Sequence, residues 1–379
     1  MNIKRLVTAA ALTSIAIATP AWAADQPKQL QRDADALKDT GATGVLAAAT
    51  TPSGTSAARS GVADLKTGEP VPWNAYYRIG STTKTFVAAI ALQLVGEGKL
   101  RLDDTVERWL PGLVEGNGND GAKITVRQLL GQTSGLPEYA DDVPLERVTS
   151  EAGFRRERFR VYQPEEFVAM AMRHKPAFEP GKGWAYSNTN YILVGMIIEK
   201  VTGTPWQQQL LERVIEPLGL RHTYAPGTSP FLPQPRMTTY KRFTADGPMV
   251  DVTTYFPGGS DHSLVSTPDD VNRFFRALLG GRLLRPAELA EMTKTVPATP
   301  FQAFWRDAGY GLGIMKRRLP CGGWVWFHGG GGWNAISDNA VTADGRRVAS
   351  VAYSSALRPD QDPLPQIKAS TSLIDHALC

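Results

Sequence analysis

At 379 residues the chain is long enough for a large core and for more than one domain. Its composition, 42% hydrophobic and 21% charged, excludes a disordered polypeptide and gives no sign of a membrane-spanning class. The formal net charge of +4 includes Lys4 and Arg5, and the small, scattered excess that remains excludes an electrostatic footprint for nucleic acid.

Lys4 and Arg5 lead into a mostly apolar stretch over 6–18, followed by Thr19-Pro20 and Ala21-Trp22-Ala23. A charged start, a short apolar core and an A-x-A site form the signature of a signal peptide, so cleavage after Ala23 and export to a secreted, periplasmic or cell-wall space are expected. No later stretch reaches the ~20 apolar residues of a membrane span, so no stable membrane insertion is expected. Export favours pairing of the two cysteines, Cys321 and Cys379, over two free buried thiols.

Residues 30–38 carry apolar side chains at helical spacing and stop near Gly41. Segments 44–50 and 55–64 read as strands joined by the Pro52-Ser53-Gly54 turn, and 65–77, with two prolines, as a connection. Gly80 and Ser81 open a run (Phe86, Val87, Ala88, Ala89, Ile90, Ala91, Leu92, Leu94, Val95) that is apolar nearly all round. It predicts a helix buried on every side, ending at Gly96 in the left-handed cap position. Helical signals then dominate: a short helix through Trp109, then 125–130, 164–172, 190–201, 205–215, 268–279 behind a Thr267 cap, and 286–294. Residues 224–257, rich in proline and aromatics, read as long loops.

After Trp305 short strand-like runs return at 311–316, 324–328, 336–342 and 347–354, before a last helix over about 365–378. Strands at the two chain ends must share one sheet, because neither set alone could bury its apolar face. The expected organisation is a signal peptide (1–23), an α/β sheet domain from 24–80 and 305–379, and an inserted, mostly helical domain over 81–304. The active site would lie between the two.

Three clusters carry candidate chemistry. Ser81 and Lys84, three apart at a helix mouth, would stand side by side. A serine hydroxyl becomes a nucleophile when a neighbouring amine, held neutral, takes its proton, and the free N–H groups of a helix start favour negative charge developing there. Taken alone, the pair also reads as a helix cap beside a solvated lysine, and it needs company to be read as catalytic. Tyr186-Ser187-Asn188 precedes another apolar helix. A tyrosine between cationic side chains can have its phenol pKa lowered and move protons, and an asparagine two residues on can hold a substrate amide. His328-Gly329-Gly330-Gly331-Gly332 ends a strand; its glycines admit close backbone approach, and the histidine offers hydrogen bonds or charge. A phosphate-cradle reading fails because no helix follows and Lys-Ser/Thr is absent. The histidines (His174, His222, His262, His328, His376) lack zinc spacing, so neither a metal nor a cofactor is expected.

Together and in this order, the clusters resemble those of the penicillin-binding, class C β-lactamase-like serine hydrolases, most closely the secreted bacterial D-alanyl-D-alanine carboxypeptidases. The resemblance covers nearly the whole mature chain: 78–86 (RIGSTTKTF), Leu129-Leu130 with Thr133-Ser134-Gly135-Leu136, and Tyr186 to Tyr191. Val265-Ser266-Thr267, Tyr310-Gly311-Leu312-Gly313 and His328-x-Gly330 continue it. It implies a transpeptidase-like α/β fold, with an antiparallel sheet from both chain ends flanked by helices. It further implies an acyl-enzyme on Ser81, activation by Lys84, proton relay by Tyr186, a substrate amide on Asn188, and an oxyanion hole from the N–H groups of Ser81 and Gly331. His328 would stand where relatives often have lysine, and the Cys321–Cys379 pair matches a disulfide of that carboxypeptidase type.

Departures bear on the substrate. Relatives place a carboxylate-binding arginine two residues past Tyr-Gly-Leu-Gly; here that position is Met315, followed by Lys316, Arg317 and Arg318. Gly329 and Gly331 replace threonines of the third motif, Ser260-Asp261-His262-Ser263 replaces a Ser-Ala-Gly-Gly loop, and Gln132 replaces a histidine. The expected protein is a monomeric D-Ala-D-Ala carboxypeptidase acting on peptides ending in D-amino acids or on β-lactams. A D-stereospecific peptidase, amidase or esterase is the alternative, ahead of a class C-like β-lactamase or a non-catalytic binding module.

Overall fold

The computed structural model describes residues 21–143, 149–256 and 258–379, so the expected signal peptide falls almost wholly outside the described residues. Among the described residues nine strands build one antiparallel sheet. These are β1 (Ala42–Thr51), β2 (Gly54–Gly61), β3 (Val296–Pro297), β4 (Gly309–Tyr310), β5 (Met315–Arg318), β6 (Trp324–Phe327), β7 (Gly330–Gly332), β8 (Ala335–Thr342) and β9 (Val348–Ser355). Their order is β2-β1-β9-β8-β6-β5-β4-β3, with β7 paired to β8. The central joint is between the two ends of the chain, β1 running antiparallel to β9 with Val45 opposite Tyr353 and Ala48 opposite Ser350. The sheet already includes Val296–Pro297, ahead of residue 305.

The five longest helices cover both faces of the sheet and the space beside it: α1 (Ala21–Asp39), α2 (Thr83–Gly96), α3 (Asn188–Thr202), α4 (Pro268–Leu279) and α5 (Leu364–Leu378). Side chains alternate along a strand, and β1 divides its residues accordingly. Val45, Ala47 and Ala49 join Leu30, Ala34, Leu37, Leu373 and Ile374 of α1 and α5. Leu46 instead joins the larger core built around α2, α3 and α4. Such two-sided cover explains why 42–51 is almost continuously buried rather than alternating in and out.

Helix α2 is the axis of the larger core. Its residues from Thr83 to Leu92 are all buried, and Phe86 stacks on Phe274 of α4 with ring centroids 3.5 Å apart. The chain enters it through a single 3-10 turn, Gly80–Thr82, so Ser81 lies just ahead of the α-helix rather than in its first turn. The exit also differs from expectation. Gly96 remains helical against Arg285 and Glu288, and Gly98, at φ +72°, takes the left-handed position instead. The Thr267 cap holds as read, its hydroxyl accepting from the Asp270 N–H, and Thr125 adds a capping box with Gln128. Over 224–256 the chain is mostly irregular, relieved by one short pairing of Tyr240–Lys241 with Val250–Asp251.

Cys321 and Cys379 are bonded, their Cα atoms 5.8 Å apart, which ties the end of α5 to the β5–β6 turn. Beside it Arg317 and Asp375 form a largely buried ion pair at 2.7 Å. The bridge closes a loop of 58 residues, for which restricted unfolded-chain entropy is worth about 4 kcal/mol. Replacing both cysteines by serine is expected to lower the urea-unfolding free energy by up to that amount. The measurement is an equilibrium melt under non-reducing conditions, beside the same melt with reductant added to the parent.

Candidate active site

The site begins where two backbones touch. Tyr77–Arg78 pairs with Val265–Ser266, and Gly80, at φ +53°, then turns the chain into the Ser81 turn. A side chain on Gly80 would put its Cβ 2.5 Å from the Gly331 N, and one on Gly330 would lie 1.9 Å from the Ile79 carbonyl oxygen. Both glycines therefore serve the protein's own packing, bringing β7 against the Ser81 turn. Thr82 and Asn339 lock the junction by donating to the His328 carbonyl at 2.7 and 2.8 Å. Gly331 is the more open position; a Cβ there would meet only the Ile336 side chain and the Ala335 carbonyl.

Lys84 lies one turn on and is fully buried. Its Nζ is 3.1 Å from Ser81 Oγ, 2.7 Å from Asn188 Oδ1 and 2.8 Å from the Asp261 carbonyl oxygen. It also sits 4.9 Å from the centre of the Tyr186 ring and 5.7 Å from that of Tyr191. Burial disfavours the ammonium and outweighs the opposing charges of Asp261 and Glu138, pushing the Lys84 pKa down to about 8.

Asn188 opens α3, and its position is set from outside the helix. Gln132, at φ +61° and fully buried, accepts through Oε1 from the Ser187 N–H at 3.0 Å and from Asn190 Nδ2 at 2.5 Å. Glu138 Oε2 accepts from the Asn188 N–H at 2.6 Å, and burial raises the Glu138 pKa. Gln132 thus fills the place of an expected histidine with a purely architectural amide.

Tyr186 departs from its expected electrostatics. Aromatic rings surround it: Phe301, Tyr310 and His328 lie with centroids 6.3–6.4 Å away. Burial raises its phenol pKa well above the ordinary value, with the neighbouring Ser81 hydroxyl acting the other way. Its hydroxyl has no well-formed hydrogen bond to any described group. The side chain is a protonated phenol, not a phenolate. His328 departs similarly. Burial and the Lys84 charge push its pKa down to about 3. Its Nδ1 lies 2.8 Å from the Gly329 carbonyl and its Nε2 3.0 Å from Tyr310 Oη. Nδ1 must donate to that carbonyl, so Nε2 accepts from the tyrosine. The ring is neutral and brings no charge to the mouth.

Ser81, Lys84, Tyr186, Asn188, His328, Gly330 and Gly331 are therefore gathered at one place. Asp261, Glu138 and Tyr139 were missed as site residues; the signals available were the unusual Ser260-Asp261-His262 loop and an acidic residue just past Ser134-Gly135. Met315 is buried beside Tyr310 and Phe327 in the apolar cluster on which Trp184 and Tyr186 rest. Among the described residues no group of three His, Cys, Asp or Glu side chains is placed to hold a metal ion.

Sheet, helices and this cluster define a β-lactamase-fold serine hydrolase, related to the penicillin-binding proteins. Residues 30–369 match the Beta-lactamase family model, and the chain belongs to that family. A D-stereospecific amidohydrolase from Streptomyces sp. is 40% identical, with a TM-score of 0.83 over 91% of this chain and 98% of that one. D-amino acid amidase from Ochrobactrum anthropi SV3 is 29% identical, with a TM-score of 0.79 over 93% and 98% of the two chains. A penicillin-binding protein of Bacillus subtilis is 32% identical over 165 residues, which is 43% of this chain and 33% of that protein. The chain thus spans about a third of the length of that curated relative. No helix among the described residues is long and apolar enough to cross a membrane.

A lysine held in this way should destabilise the fold it serves. Its folded pKa of about 8 lies below its unfolded value of 10.5, so the unfolded chain binds more protons between those pH values. Stability should therefore rise with pH across that window, by roughly 3 kcal/mol. Urea melts of the parent and Lys84→Met at pH 7, 8, 9 and 10 test this. The parent is expected to gain on the variant as pH rises, and parallel curves would refute the burial of a charge.

Proposed function

We propose that the chain is a serine amidohydrolase that cleaves amides of D-amino acids through an acyl-enzyme on Ser81. The observation that carries this reading is the leaving-group side of the site. Where a terminal carboxylate would need a cation, Met315 is buried in an aromatic wall. The cations that follow are committed elsewhere: Lys316 over the Trp324 ring at 4.7 Å, Arg317 to Asp375 at 2.7 Å and Arg318 to Asp307 at 3.0 Å. A carboxylate desolvated against that wall would be strongly disfavoured. The Streptomyces amidohydrolase and the Ochrobactrum amidase are the neighbours whose named activities fit. On the acyl side, Glu138 offers a carboxylate for the ammonium of a free amino acid amide.

Neutral Lys84 donates two N–H bonds, to Asn188 Oδ1 and the Asp261 carbonyl, and turns its lone pair to the Ser81 hydroxyl. Ser81 Oγ bonds to the amide carbon as its proton passes to Lys84. The carbonyl oxygen becomes an oxyanion received by the N–H groups of Ser81 and Gly331. As the C–N bond breaks, the proton reaches the leaving nitrogen through the Tyr186 hydroxyl, which ends the step reprotonated. Water then adds to the ester, gives up a proton by the same route, and releases the acid and Ser81. His328 keeps the Tyr310 edge of this wall in place. The disulfide supports the view that the chain works after export.

A D-Ala-D-Ala carboxypeptidase is the second reading, favoured by the match to a penicillin-binding protein. Turnover of D- and L-phenylalanine amide and of a D-Ala-D-Ala peptide, with intact-mass analysis after penicillin, separates the two. Ammonia release from the D-amide at least tenfold faster than D-alanine release is expected, with Ser81→Ala losing about 10³-fold or more. Faster release of D-alanine would overturn the amidase reading in favour of the carboxypeptidase. Because only unprotonated Lys84 can accept a proton, kcat/KM should climb to a plateau through about pH 8. A profile flat from pH 6 to 9 would remove Lys84 from the role of base.

A further inference from the structure

The side chains of Asp261 and His262 have no task in that reaction, yet the backbone oxygen of Asp261 meets its base. The Asp261 side chain is fully buried, an expensive place for a carboxylate. Its Oδ2 accepts from Tyr139 Oη at 2.8 Å and lies 2.5 Å from His262 Nδ1, while its own backbone oxygen receives Lys84 Nζ. The His262 ring needs Gly258 beneath it, since a Cβ there would come within 2.4 Å of the imidazole. Its outer side borders a cavity of about 180 Å³ that it shares with Tyr139, Phe167, Phe256 and Trp333.

An amine lone pair points at Ser81 Oγ only if rotation about the Cε–Nζ bond is stopped, which takes two fixed acceptors. Asn188 is fixed by α3 and by the Glu138 contact. The other acceptor is a loop carbonyl, and loops are the mobile parts of a fold. This loop is tied at both ends, by Ser260 Oγ donating to the Tyr191 carbonyl at 2.7 Å and by Leu264 N–H donating to Thr83 Oγ1 at 3.1 Å. Apart from the N–H bonds of His262 and Ser263 to the Gly259 carbonyl, its middle is tied to the rest of the fold through the Asp261 carboxylate. We propose that Asp261, clamped by Tyr139 and His262, is the positioning residue for Lys84, and that it links the base to the wall of the neighbouring pocket.

The inference rests on Lys84 being the base, and it has an electrostatic signature that a merely structural role lacks. The groups facing Lys84 are Ser81, Asn188, Glu138 and Asp261, with Tyr186, Tyr191 and His328 uncharged. Those facing the Asp261 carboxylate are Lys84, His262, Tyr139 and Glu138. Asp261 and Glu138 both favour the ammonium. Asp261→Asn keeps the shape and removes one of those charges.

The test is kcat/KM against pH for D-phenylalanine amide, on the parent, Asp261→Asn, Tyr139→Phe and His262→Asn, with thermal melts alongside. Asp261→Asn is expected to move the rising limb about one pH unit lower, because an opposite charge beside the amine is gone. Its plateau should fall about tenfold, because the amine is less well aimed. Tyr139→Phe leaves the carboxylate charged, so its limb should stay while its plateau falls several-fold at nearly unchanged KM. A limb that stays put in Asp261→Asn, with only plateau or melting temperature lowered, overturns the proposal. Should that variant fail to fold, unchanged kcat in both Tyr139→Phe and His262→Asn overturns it instead. Ser81→Ala separates the two levels: full turnover there removes the serine mechanism itself. An inactive Ser81→Ala beside an unmoved Asp261→Asn limb removes only the role of Asp261.

Discussion

The structure depends on one unfavourable act, the burial of the Lys84 amine at the mouth of a helix with no polar side. Helix α2 is enclosed all round because the sheet, α3 and α4 each need its apolar surface. A lysine in its first turn therefore has no path to water. Two consequences follow from that geometry. The ammonium loses its solvation, which brings its pKa to about 8, and its N–H groups must be met by acceptors of the protein's own. Asn188 and the Asp261 carbonyl meet them, and each is held by a further set of buried polar groups. The polar shell of the site is the cost of placing a base inside a hydrocarbon core.

Around that base the proton affinities are pushed apart. The same burial that lowers the lysine raises the tyrosine and strips the histidine of its charge. Of Lys84, Tyr186 and His328, Lys84 is the one brought close to neutral pH, while Tyr186 keeps its proton. Separated affinities of this kind let neighbouring groups act as acid and base in one pocket. The glycine contact between residues 80 and 330 adds a fixed dipolar element, since it holds strand β7 against the serine turn.

Much of this arrangement is legible in the sequence because it is local. Three-residue spacing puts Ser81 beside Lys84, hydrophobic runs mark α2 and α3, and Thr267 announces the helix it caps. The joining of β1 to β9 also follows, since neither end of the chain could cover its strands alone. What could not be read depends on tertiary surroundings. Nothing in 96–98 says which glycine turns left-handed; contacts of Gly96 with Arg285 and Glu288 decide that. A lowered phenol pKa was expected for Tyr186 between cationic side chains, whereas burial raises it and also leaves the neighbouring His328 neutral. Asp261 was visible only as a departure from a resembling loop, and its contact with Lys84 runs through a backbone oxygen, which no residue pattern encodes.

In the proposed reaction, the wall beside Tyr186 constrains which leaving group the site can release. Met315 shares an apolar cluster with Tyr310 and Phe327, and Trp184, Phe301 and Trp305 extend it toward Tyr186. Strand alternation sends Lys316 to the opposite face, where Trp324 takes it, while Arg317 on the Met315 side is spent on Asp375. Restoring a cation at position 315 would place an unpaired charge among aromatic rings, and that charge would have to be met by the substrate itself. A small neutral leaving group such as ammonia makes no such demand. On the proposed reading, the chemistry of the wall therefore suits an amide whose departing end carries no charge.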